Sequence, residues 1–331
     1  MKASVLKERG RIEGSPLEYG EVGEPELEEG GLLIKVAACG ICHTDLHIIE
    51  AELPPQKTPL IPGHEIVGRV AKVGPSVSRF QLGDRVGVPW LHRTCGTCRY
   101  CKNGQENLCE SAQFTGYHVD GGYAEYSVAP EAFAYPIPAA FSDIEAAPLL
   151  CAGIVGFRAL RLSDVKPGAR LGLYGFGASA HLAIQLARHW SCEVYVFTRS
   201  EEHRKLAEKL GAAWVGRAED RAPELLDSAV MFAPAGPLVP HALGALRKGG
   251  TLALAGIHMT PIPELEYSMI YGERTIRTVA NSTRQDAFDF LKIAVEIPVR
   301  TETETFPLRD ANRALRMLKE SKIKGAGVLV L

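Results

Sequence analysis

Two short segments of the chain contain most of the residues that could carry out chemistry. The nonapeptide CGICHTDLH, residues 39–47, places two cysteines, two histidines and an aspartate close together. A Cys-x-x-Cys sequence followed directly by His is compatible with a metal clip, a redox pair or a haem anchor. The choice depends on which distant residues meet this segment, so the nonapeptide alone leaves all three open.

The second segment, CGTCRYCKNGQENLC at 95–109, has the spacing C-x2-C-x2-C-x7-C. Four thiolates can complete a tetrahedral shell around zinc and leave no position for water, which is typical of a structural site. An iron–sulfur cluster shares the C-x2-C-x2-C start, and the zinc ribbon of a nucleic-acid-binding protein is another alternative. We favour a structural zinc. Its four predicted ligands are Cys95, Cys98, Cys101 and Cys109.

A glycine loop, GFGASA at 175–180, lies between a predicted strand and a predicted helix and fits G-x-G-x-x-G/A. Gly175 permits a tight turn, Gly177 lets the backbone approach a pyrophosphate, and Ala180 lets helix and strand pack closely. The start of the helix offers free N–H groups and the positive end of its dipole to phosphates. The loop therefore predicts dinucleotide binding.

The strand after this helix ends at Thr198, Arg199 and Ser200 instead of at an acidic residue. A carboxylate at this point would bind the ribose hydroxyls of NAD, whereas an arginine and two hydroxyls can bind a 2′-phosphate. We therefore favour NADP(H) over NAD(H). The alternative is that Arg199 is an ordinary solvated surface charge.

The elements that must position these residues fall into two kinds. Residues 1–150 contain short β-branched runs separated by Gly- and Pro-rich turns, which predicts a largely antiparallel β domain. From about 151, strands alternate with helices, the pattern of βαβ units and a parallel, doubly wound sheet. The fold class predicted from this pattern is α/β.

Composition excludes several classes of protein. The chain has 331 residues, 46% of them hydrophobic and 23% charged, with 37 Lys and Arg against 39 Asp and Glu. A net charge near −2 argues against a general nucleic-acid binder. No stretch of 18 apolar residues occurs and the first residues lack a signal-peptide pattern, so we expect a cytoplasmic protein with no membrane partner. Eight cysteines are then expected as thiols or metal ligands rather than disulfides.

Taken together in this order, the motifs resemble those of the zinc-dependent, medium-chain alcohol dehydrogenases. The segments that carry the resemblance are CGICHTDLH (39–47), PGHEIVGRVAKVG (62–74), GDRVGVPW (83–90), the cysteine segment 95–109, FTGYHVDGGYAEY (114–126), LLCAG (149–153) and GFGASA (175–180). The resemblance implies a β-rich, GroES-like catalytic domain with a Rossmann domain inserted into it. The implied parts are residues 1–150 with a structural-zinc lobe at 90–112, the Rossmann domain at 151–287, and a return to the catalytic domain at 288–331.

The resemblance also assigns a catalytic zinc site. By similarity to the motifs, Cys42, His64 and Cys151 are the ligands, a Cys2His set with an open fourth position. Together with the cysteine lobe, this gives two zinc ions per chain. Glu65 resembles an acid that visits the metal, and Asp45 resembles the residue that hydrogen-bonds the histidine ligand. The alternative for Asp45 is a helix-capping role.

The implied activity is reversible hydride transfer between a zinc-bound alkoxide and a nicotinamide cofactor. Thr44 resembles the first hydroxyl of a proton relay, His47 its base at the solvent end, and His43 a residue that contacts the cofactor pyrophosphate. Trp90 and Leu53 resemble walls of the substrate pocket, although either could be ordinary core.

The substrate class and the oligomeric state follow less directly from the residues. The expected substrates are small to medium primary or secondary alcohols and their carbonyl products. A polyol dehydrogenase, or a cinnamyl-alcohol-type dehydrogenase or aldehyde reductase, is an alternative within the superfamily. A zinc- and nucleotide-binding regulatory protein without turnover is an alternative of another class. The resemblance implies a homo-oligomer, a dimer or tetramer, for which the final strand and the strand near 274–279 are candidate edges.

Overall fold

The computed structural model describes residues 1–331, which form seventeen β-strands and ten α-helices. The strands, in chain order, are β1 (Lys2–Leu6), β2 (Leu17–Glu21), β3 (Gly31–Ile41), β4 (Glu65–Val73), β5 (Arg85–Val88), β6 (Leu91–Arg93), β7 (Gln113–Phe114), β8 (Tyr126–Pro130), β9 (Tyr135–Pro136), β10 (Arg170–Tyr174), β11 (Glu193–Phe197), β12 (Trp214–Gly216), β13 (Leu226–Met231), β14 (Leu246–Leu254), β15 (Thr275–Thr278), β16 (Thr303–Pro307) and β17 (Ala326–Val330).

The helices are α1 (His43–Ile49), α2 (Arg99–Lys102), α3 (Asp143–Ala146), α4 (Ala152–Leu162), α5 (Ala178–His189), α6 (Glu201–Lys209), α7 (Val239–Ala245), α8 (Tyr267–Ile270), α9 (Arg284–Glu296) and α10 (Ala311–Lys319). None of them is long and apolar enough to cross a membrane.

The chain divides into two units. Unit 1 comprises residues 1–151 and 281–331, and unit 2 comprises residues 152–280. The sequence placed the return at 288, inside α9, whereas all of α9 belongs to unit 1. Local hydrogen bonds explain the difference. Thr283 caps α9 through a reciprocal bond pair with Asp286, and the buried carboxylate of Glu106 accepts a 2.9 Å bond from the backbone of Arg284.

Unit 1 is built on a seven-stranded sheet in the order β16-β17-β3-β4-β5-β9, with β8 paired to the first half of β3. Its pairs are antiparallel apart from β16 and β17. Strand β3 is buried at most of its positions because neighbours pair along both its edges and its apolar run faces the core. The sheet therefore fixes the chain rigidly up to Ile41, immediately before the nonapeptide's second cysteine.

Unit 2 is a six-stranded, wholly parallel sheet in the order β12-β11-β10-β13-β14-β15. Strand order reverses between β10 and β13, which in doubly wound sheets is the point where ligands bind at the carboxyl ends of the strands. The predicted α/β class, a β-rich domain and a doubly wound parallel sheet, is confirmed.

One predicted edge is wrong and the other lies as expected. Strand β15 is the outer strand of the unit 2 sheet, and three of its four residues are exposed. The final strand, β17, is not an edge, because it lies between β16 and β3. Its continuous apolar sequence fits this interior position, where both faces and both edges are covered.

Candidate active site

Helix α1 begins at the nonapeptide and sets the positions of its polar side chains. Cys42 is the N-cap residue: its Sγ accepts a 3.3 Å hydrogen bond from the backbone N–H of Thr44. Asp45 completes a capping box, since its Oδ2 accepts a 2.9 Å bond from the Cys42 N–H. Such reciprocal capping satisfies two otherwise free donors at the helix start. The cap therefore holds the Cys42 sulfur in place before any ligand binds.

The antiparallel pairing of β3 and β4 brings His64 and Glu65 to Cys42. In the register of these strands, Gly40 lies opposite Glu65 and Cys39 opposite Ile66. The end of β3 that leads into Cys42 thus meets the start of β4, where His64 and Glu65 stand. Cys151, the last residue of the first segment of unit 1, joins them directly after the 3-10 turn Ala147–Leu150.

The structure brings these residues into one cluster. One donor atom each from Cys42, His64, Glu65 and Cys151 lies within 4.8 Å of every other. His64 is almost fully buried, and its Nε2 is a buried nitrogen without a hydrogen-bond partner. A buried polar atom without a partner costs free energy unless something binds it. Two thiols, a carboxyl and an imidazole with an unpartnered, buried nitrogen together fit a zinc ion.

Electrostatics at the cluster favour a positive charge. Hydrogen bonding with Cys151 and the charge of His64 outweigh burial and hold the pKa of the Cys42 thiol well below its ordinary value. The same hydrogen bond and burial raise the pKa of Cys151. Burial opposes protonation of His64, but the charges of Asp45 and Cys42 raise its pKa. The group therefore stabilises a cation among its donor atoms, which is the electrostatic requirement of a metal site.

Asp45 fixes the orientation of His64. Its Oδ1 accepts a 3.1 Å hydrogen bond from His64 Nδ1, which directs Nε2 toward the thiols. The hydroxyl of Tyr123 donates a 3.0 Å bond to Asp45 Oδ2, and both residues are fully buried. Asp45 thus caps α1 and orients His64 at once, so the two interpretations of this residue do not compete. Tyr123 carries no local sequence signal for this contact, because it lies 78 residues away from Asp45.

Glu65 is a buried carboxyl for which the sheet leaves a specific space. Burial and the charge of Cys42 raise its pKa well above the ordinary value. A Cβ atom at Gly40, on the facing strand, would lie 1.8 Å from Glu65 Oε2. Glycine at position 40 is therefore required for the carboxyl to occupy its place beside the thiols.

Thr44 and His47 lie on one face of α1, since residues three apart in a helix are neighbours. Both are buried, with 9% and 8% of their surfaces exposed. His43 is exposed, and its ring centroid lies 6.5 Å from that of His47. A hydroxyl and an imidazole therefore follow the helix from the metal-ligand end toward its C-terminus.

The predicted cysteine lobe is a second compact group of donors. The sulfurs of all four cysteines lie within 4.8 Å of one another. Backbone N–H groups of Thr97 and Cys98 stabilise the thiolate of Cys95 and lower its pKa to about 6. Cys98 is the N-cap residue of α2, and all four cysteines are free thiols. Four thiols around one centre, with no other donor among them, fit a structural zinc.

In unit 2, the glycine loop joins β10 to α5 as the sequence predicts. Gly175 has φ +86°, and a Cβ there would lie 2.9 Å from the backbone N of Ala233. Gly177 is the N-cap residue of α5, no side chain accepts a cap bond there, and a Cβ would meet nothing within 4 Å. Ala180 is fully buried. The loop leaves open space and free N–H groups at the helix start, where a pyrophosphate binds.

The strand end at 198–200 is contacted by a further basic residue, Arg204 of α6, which was not predicted from the sequence. Thr198 is buried and its N–H bonds the carbonyl of Gly216, while Arg199 is exposed and Ser200 caps α6. Arg204 donates from Nε to the Thr198 carbonyl at 3.1 Å, and its Nη2 is buried without a partner. Ser200, as the N-cap of α6, was the sequence feature that could have indicated Arg204. A side chain four residues after the cap is one helical turn away and can reach back to the strand end.

Aromatic side chains form a wall beside the cluster of Cys42, His64 and Cys151. The ring of Trp90 stacks with those of Phe114 and Tyr117, with centroids 5.1 and 5.6 Å away and interplanar angles of 16° and 17°. His64 meets Trp90 edge-on at 4.8 Å. Leu53 is partly buried against the same core. Trp90 therefore lies next to the candidate site and is also part of the hydrophobic core.

Comparisons with known proteins are consistent with this geometry. Residues 28–139 match the alcohol dehydrogenase GroES-like domain family and residues 180–296 the zinc-binding dehydrogenase family. "Probable alcohol dehydrogenase AdhA" of Mycobacterium tuberculosis is 47% identical over all of this chain and 97% of its own length.

Two solved structures share the fold over the whole chain. One is described as an NAD-dependent alcohol dehydrogenase, with a TM-score of 0.92 and 26% identity over 100% of both chains. The other is CAD from Helicobacter pylori complexed with NADP(H), with a TM-score of 0.89 and 26% identity over 100% of this chain and 99% of its own. The predicted GroES-like and Rossmann architecture is confirmed.

Proposed function

The chain belongs to the zinc-dependent, medium-chain alcohol dehydrogenase family, and from this premise we propose that it interconverts small primary or secondary alcohols and their carbonyl products. Its class follows from the family: an oxidoreductase that uses zinc and a nicotinamide cofactor on a small-molecule alcohol. The observation that carries the proposal is the cluster of Cys42, His64 and Cys151 with the unpartnered, buried Nε2 of His64.

These three residues would hold the catalytic zinc, and Glu65 lies close enough to exchange with a ligand. When bound, zinc lowers the pKa of an alcohol and the nicotinamide ring accepts its hydride. The protein keeps His64 in the correct tautomer through Asp45, and the Trp90 wall excludes water from one side. Four thiols of the lobe would hold a second, structural zinc.

The proton of the alcohol must leave a buried site. Thr44 and His47 would carry it along one face of α1, the hydroxyl first and the imidazole second. His43, exposed at the start of the same helix, would contact the cofactor pyrophosphate. In unit 2, the glycine loop with Gly175, Gly177 and Ala180 would bind the dinucleotide.

We propose NADP(H) as the preferred cofactor. Thr198, Arg199 and Ser200 offer one guanidinium and two hydroxyls at the end of β11, and the buried free Nη2 of Arg204 adds a second cation behind them. Guanidinium groups bind phosphate through charge-assisted hydrogen bonds. A 2′-phosphate is the group of NADP that such a strand end would select over NAD.

The aromatic wall sets the proposed substrate size. Trp90 is buried and stacks with two other aromatic rings, which restrict its movement and define one side of the proposed pocket. Leu53 is smaller than an aromatic residue and leaves more room on its side. This asymmetry favours cinnamyl-type aromatic alcohols as a second candidate class, whereas a non-catalytic regulatory role gains no support from a site with a proton relay.

A homo-oligomeric, cytoplasmic enzyme is the remaining part of the proposal. Strand β15 leaves one edge of the unit 2 sheet unpaired, with Ile276 partly exposed on it and Tyr267 and Tyr271 nearby in sequence and strongly exposed. An unpaired edge with apolar side chains invites pairing with a second copy, in a dimer or tetramer. Eight cysteines without a disulfide suit a reducing compartment.

The test compares initial rates of NADP⁺ and NAD⁺ reduction with a panel of primary, secondary and cinnamyl alcohols, on protein of measured zinc content. We expect two zinc ions per chain, faster reduction of NADP⁺, and loss of turnover but retention of cofactor binding in Cys151→Ser. Preference for NAD⁺ would contradict the assignment of 198–200. Turnover in Cys151→Ser would contradict the zinc ligand set, and no reduction of either cofactor would refute the proposed activity.

A further inference from the structure

The turn that ends α1 reverses the chain onto the helix it follows. The N–H of Glu52 donates a 2.9 Å hydrogen bond to the carbonyl of His47, five residues earlier, and the N–H of Leu53 bonds the same carbonyl at 3.2 Å. Ala51, just before, has φ +63° in the left-handed region. This is the pattern of a Schellman cap, in which one left-handed residue lets the next satisfy a free helix carbonyl.

The reversal places a carboxylate against the histidine of the proposed relay. An Oε2 atom of Glu52 accepts a hydrogen bond from Nδ1 of His47. The side chain of His47 is only 11% exposed, while that of Glu52 is 42% exposed. In a neutral imidazole only one ring nitrogen carries a proton, and a carboxylate beside Nδ1 places it there. Nε2 is then the unprotonated ring nitrogen, the one that can accept a proton.

The turn is held from outside the helix. Arg9 donates from Nη1 to the carbonyl of Leu53 at 2.7 Å. The carboxylate of Glu50 accepts bonds from the backbone N–H of Ile12 at 2.8 Å and from Lys319 Nζ at 2.7 Å. Contacts with two other segments, residues 9–12 and α10, thus hold residues 50–53 in place. The backbone of Glu52 is therefore held in place, even though its side chain is partly exposed to solvent.

We propose that Glu52 is a positioning residue for His47 that fixes its neutral imidazole in the Nδ1–H tautomer. The inference rests on the proposed function, in which His47 takes the proton of the alcohol. With Nδ1–H donated to Glu52, the proton arriving through Thr44 binds at Nε2 and later leaves to water from the exposed side. Without Glu52, a neutral imidazole can carry its proton on Nε2 and then cannot accept another there.

The chain offers a matched pair of variants for the test. Glu52→Gln removes the carboxylate next to His47 at nearly constant shape. Glu50→Gln makes the same change two residues away, in the same turn, at a carboxylate that contacts Ile12 and Lys319 instead. The readout is the ¹⁵N NMR spectrum of protein labelled at histidine, zinc-loaded and without substrate, in which the two tautomers give distinct ring-nitrogen shifts. His47→Gln identifies the signals of His47.

We expect the Nδ1–H tautomer of His47 in the wild type and in Glu50→Gln, and mainly the Nε2–H tautomer in Glu52→Gln. We also expect kcat of Glu52→Gln to fall about tenfold with KM within twofold of the wild type, the size of effect known for groups that orient a functional histidine. An unchanged tautomer in Glu52→Gln, or an equal fall of kcat in Glu50→Gln, would overturn the proposal. Failure of the proposed function appears separately, as absence of alcohol-dependent cofactor reduction by the wild type, and the tautomer decides the role of Glu52 in either case.

Discussion

Burial of His92 makes unit 1 sensitive to mild acid. This side chain, in β6, is only 4% exposed, and its Nδ1 is buried without a hydrogen-bond partner. Burial, aided by the positive charge of Arg93 and opposed by Glu28, lowers its pKa from 6.5 to about 4. Between these two pH values the unfolded chain binds a proton that the folded protein does not, so the free energy of unfolding falls as pH falls.

The magnitude follows from the difference in proton binding. At about 1.36 kcal/mol per pH unit, the free energy of unfolding falls by about 2 kcal/mol between pH 6.5 and 5.0, and the decrease levels off below pH 4. His92→Leu removes the titrating group. We expect urea unfolding of wild type and variant to differ little at pH 7.5, and the variant to be about 2 kcal/mol more stable than the wild type at pH 5.0. His189→Gln, at an exposed histidine that ends α5, is the control and should behave as the wild type.

The comparison isolates His92 because acid effects elsewhere in the protein, including metal release, are common to all three proteins and cancel in the difference. Equal losses of stability in the wild type and His92→Leu would show that the folded protein protonates this histidine without cost. The argument from its burial and missing partner would then be refuted.

Three further predictions concern single contacts. Tyr123→Phe removes the hydroxyl that donates to Asp45, so we expect about 1.5 kcal/mol lower stability and weaker zinc retention in a chelator competition; unchanged retention would show that Asp45 needs no such support. Ala51→Gly relieves a left-handed alanine and should raise the free energy of unfolding by about 0.5–1 kcal/mol, whereas a loss of stability would argue against the Schellman cap. Glu106→Gln weakens a buried carboxylate that binds the Arg284 backbone and guanidinium, and should cost about 1.5–3 kcal/mol in urea unfolding; a cost below 0.5 kcal/mol would contradict that role.

The sequence predicted the architecture well because each unit repeats a simple local pattern. Strands that alternate with helices in 170–257 predict the parallel sheet of unit 2. Short β-branched runs between glycines in the first 150 residues predict the antiparallel sheet of unit 1. The final strand was misplaced for a physical reason. An apolar pentapeptide fits a sheet interior as well as an edge, and its neighbours β16 and β3 are set by long-range pairing.

The candidate site was predicted unevenly. The four cysteines of the lobe are close in sequence, and spacing alone indicates their cluster. Cys42, His64 and Cys151 are 22 and 87 residues apart, so only resemblance to a family connected them before the structure placed their donor atoms together. Tyr123, Arg204 and Glu52 were missed, because their roles depend on a buried contact or on how a helix is capped, which residue type alone does not reveal.

The position of β17 has a consequence for the order in which the protein can assemble. This strand pairs directly with the end of β3 that leads into Cys42, with Leu329 opposite Cys39 and Gly327 opposite Ile41. A ribosome must therefore synthesise the whole of unit 2 before unit 1 can complete the sheet that leads into Cys42 and His64. Unit 2, continuous from 152 to 280, can fold while the first 151 residues still have an open strand edge. During that interval the exposed edge of β3 is the surface that a nascent chain must protect from pairing with its neighbours.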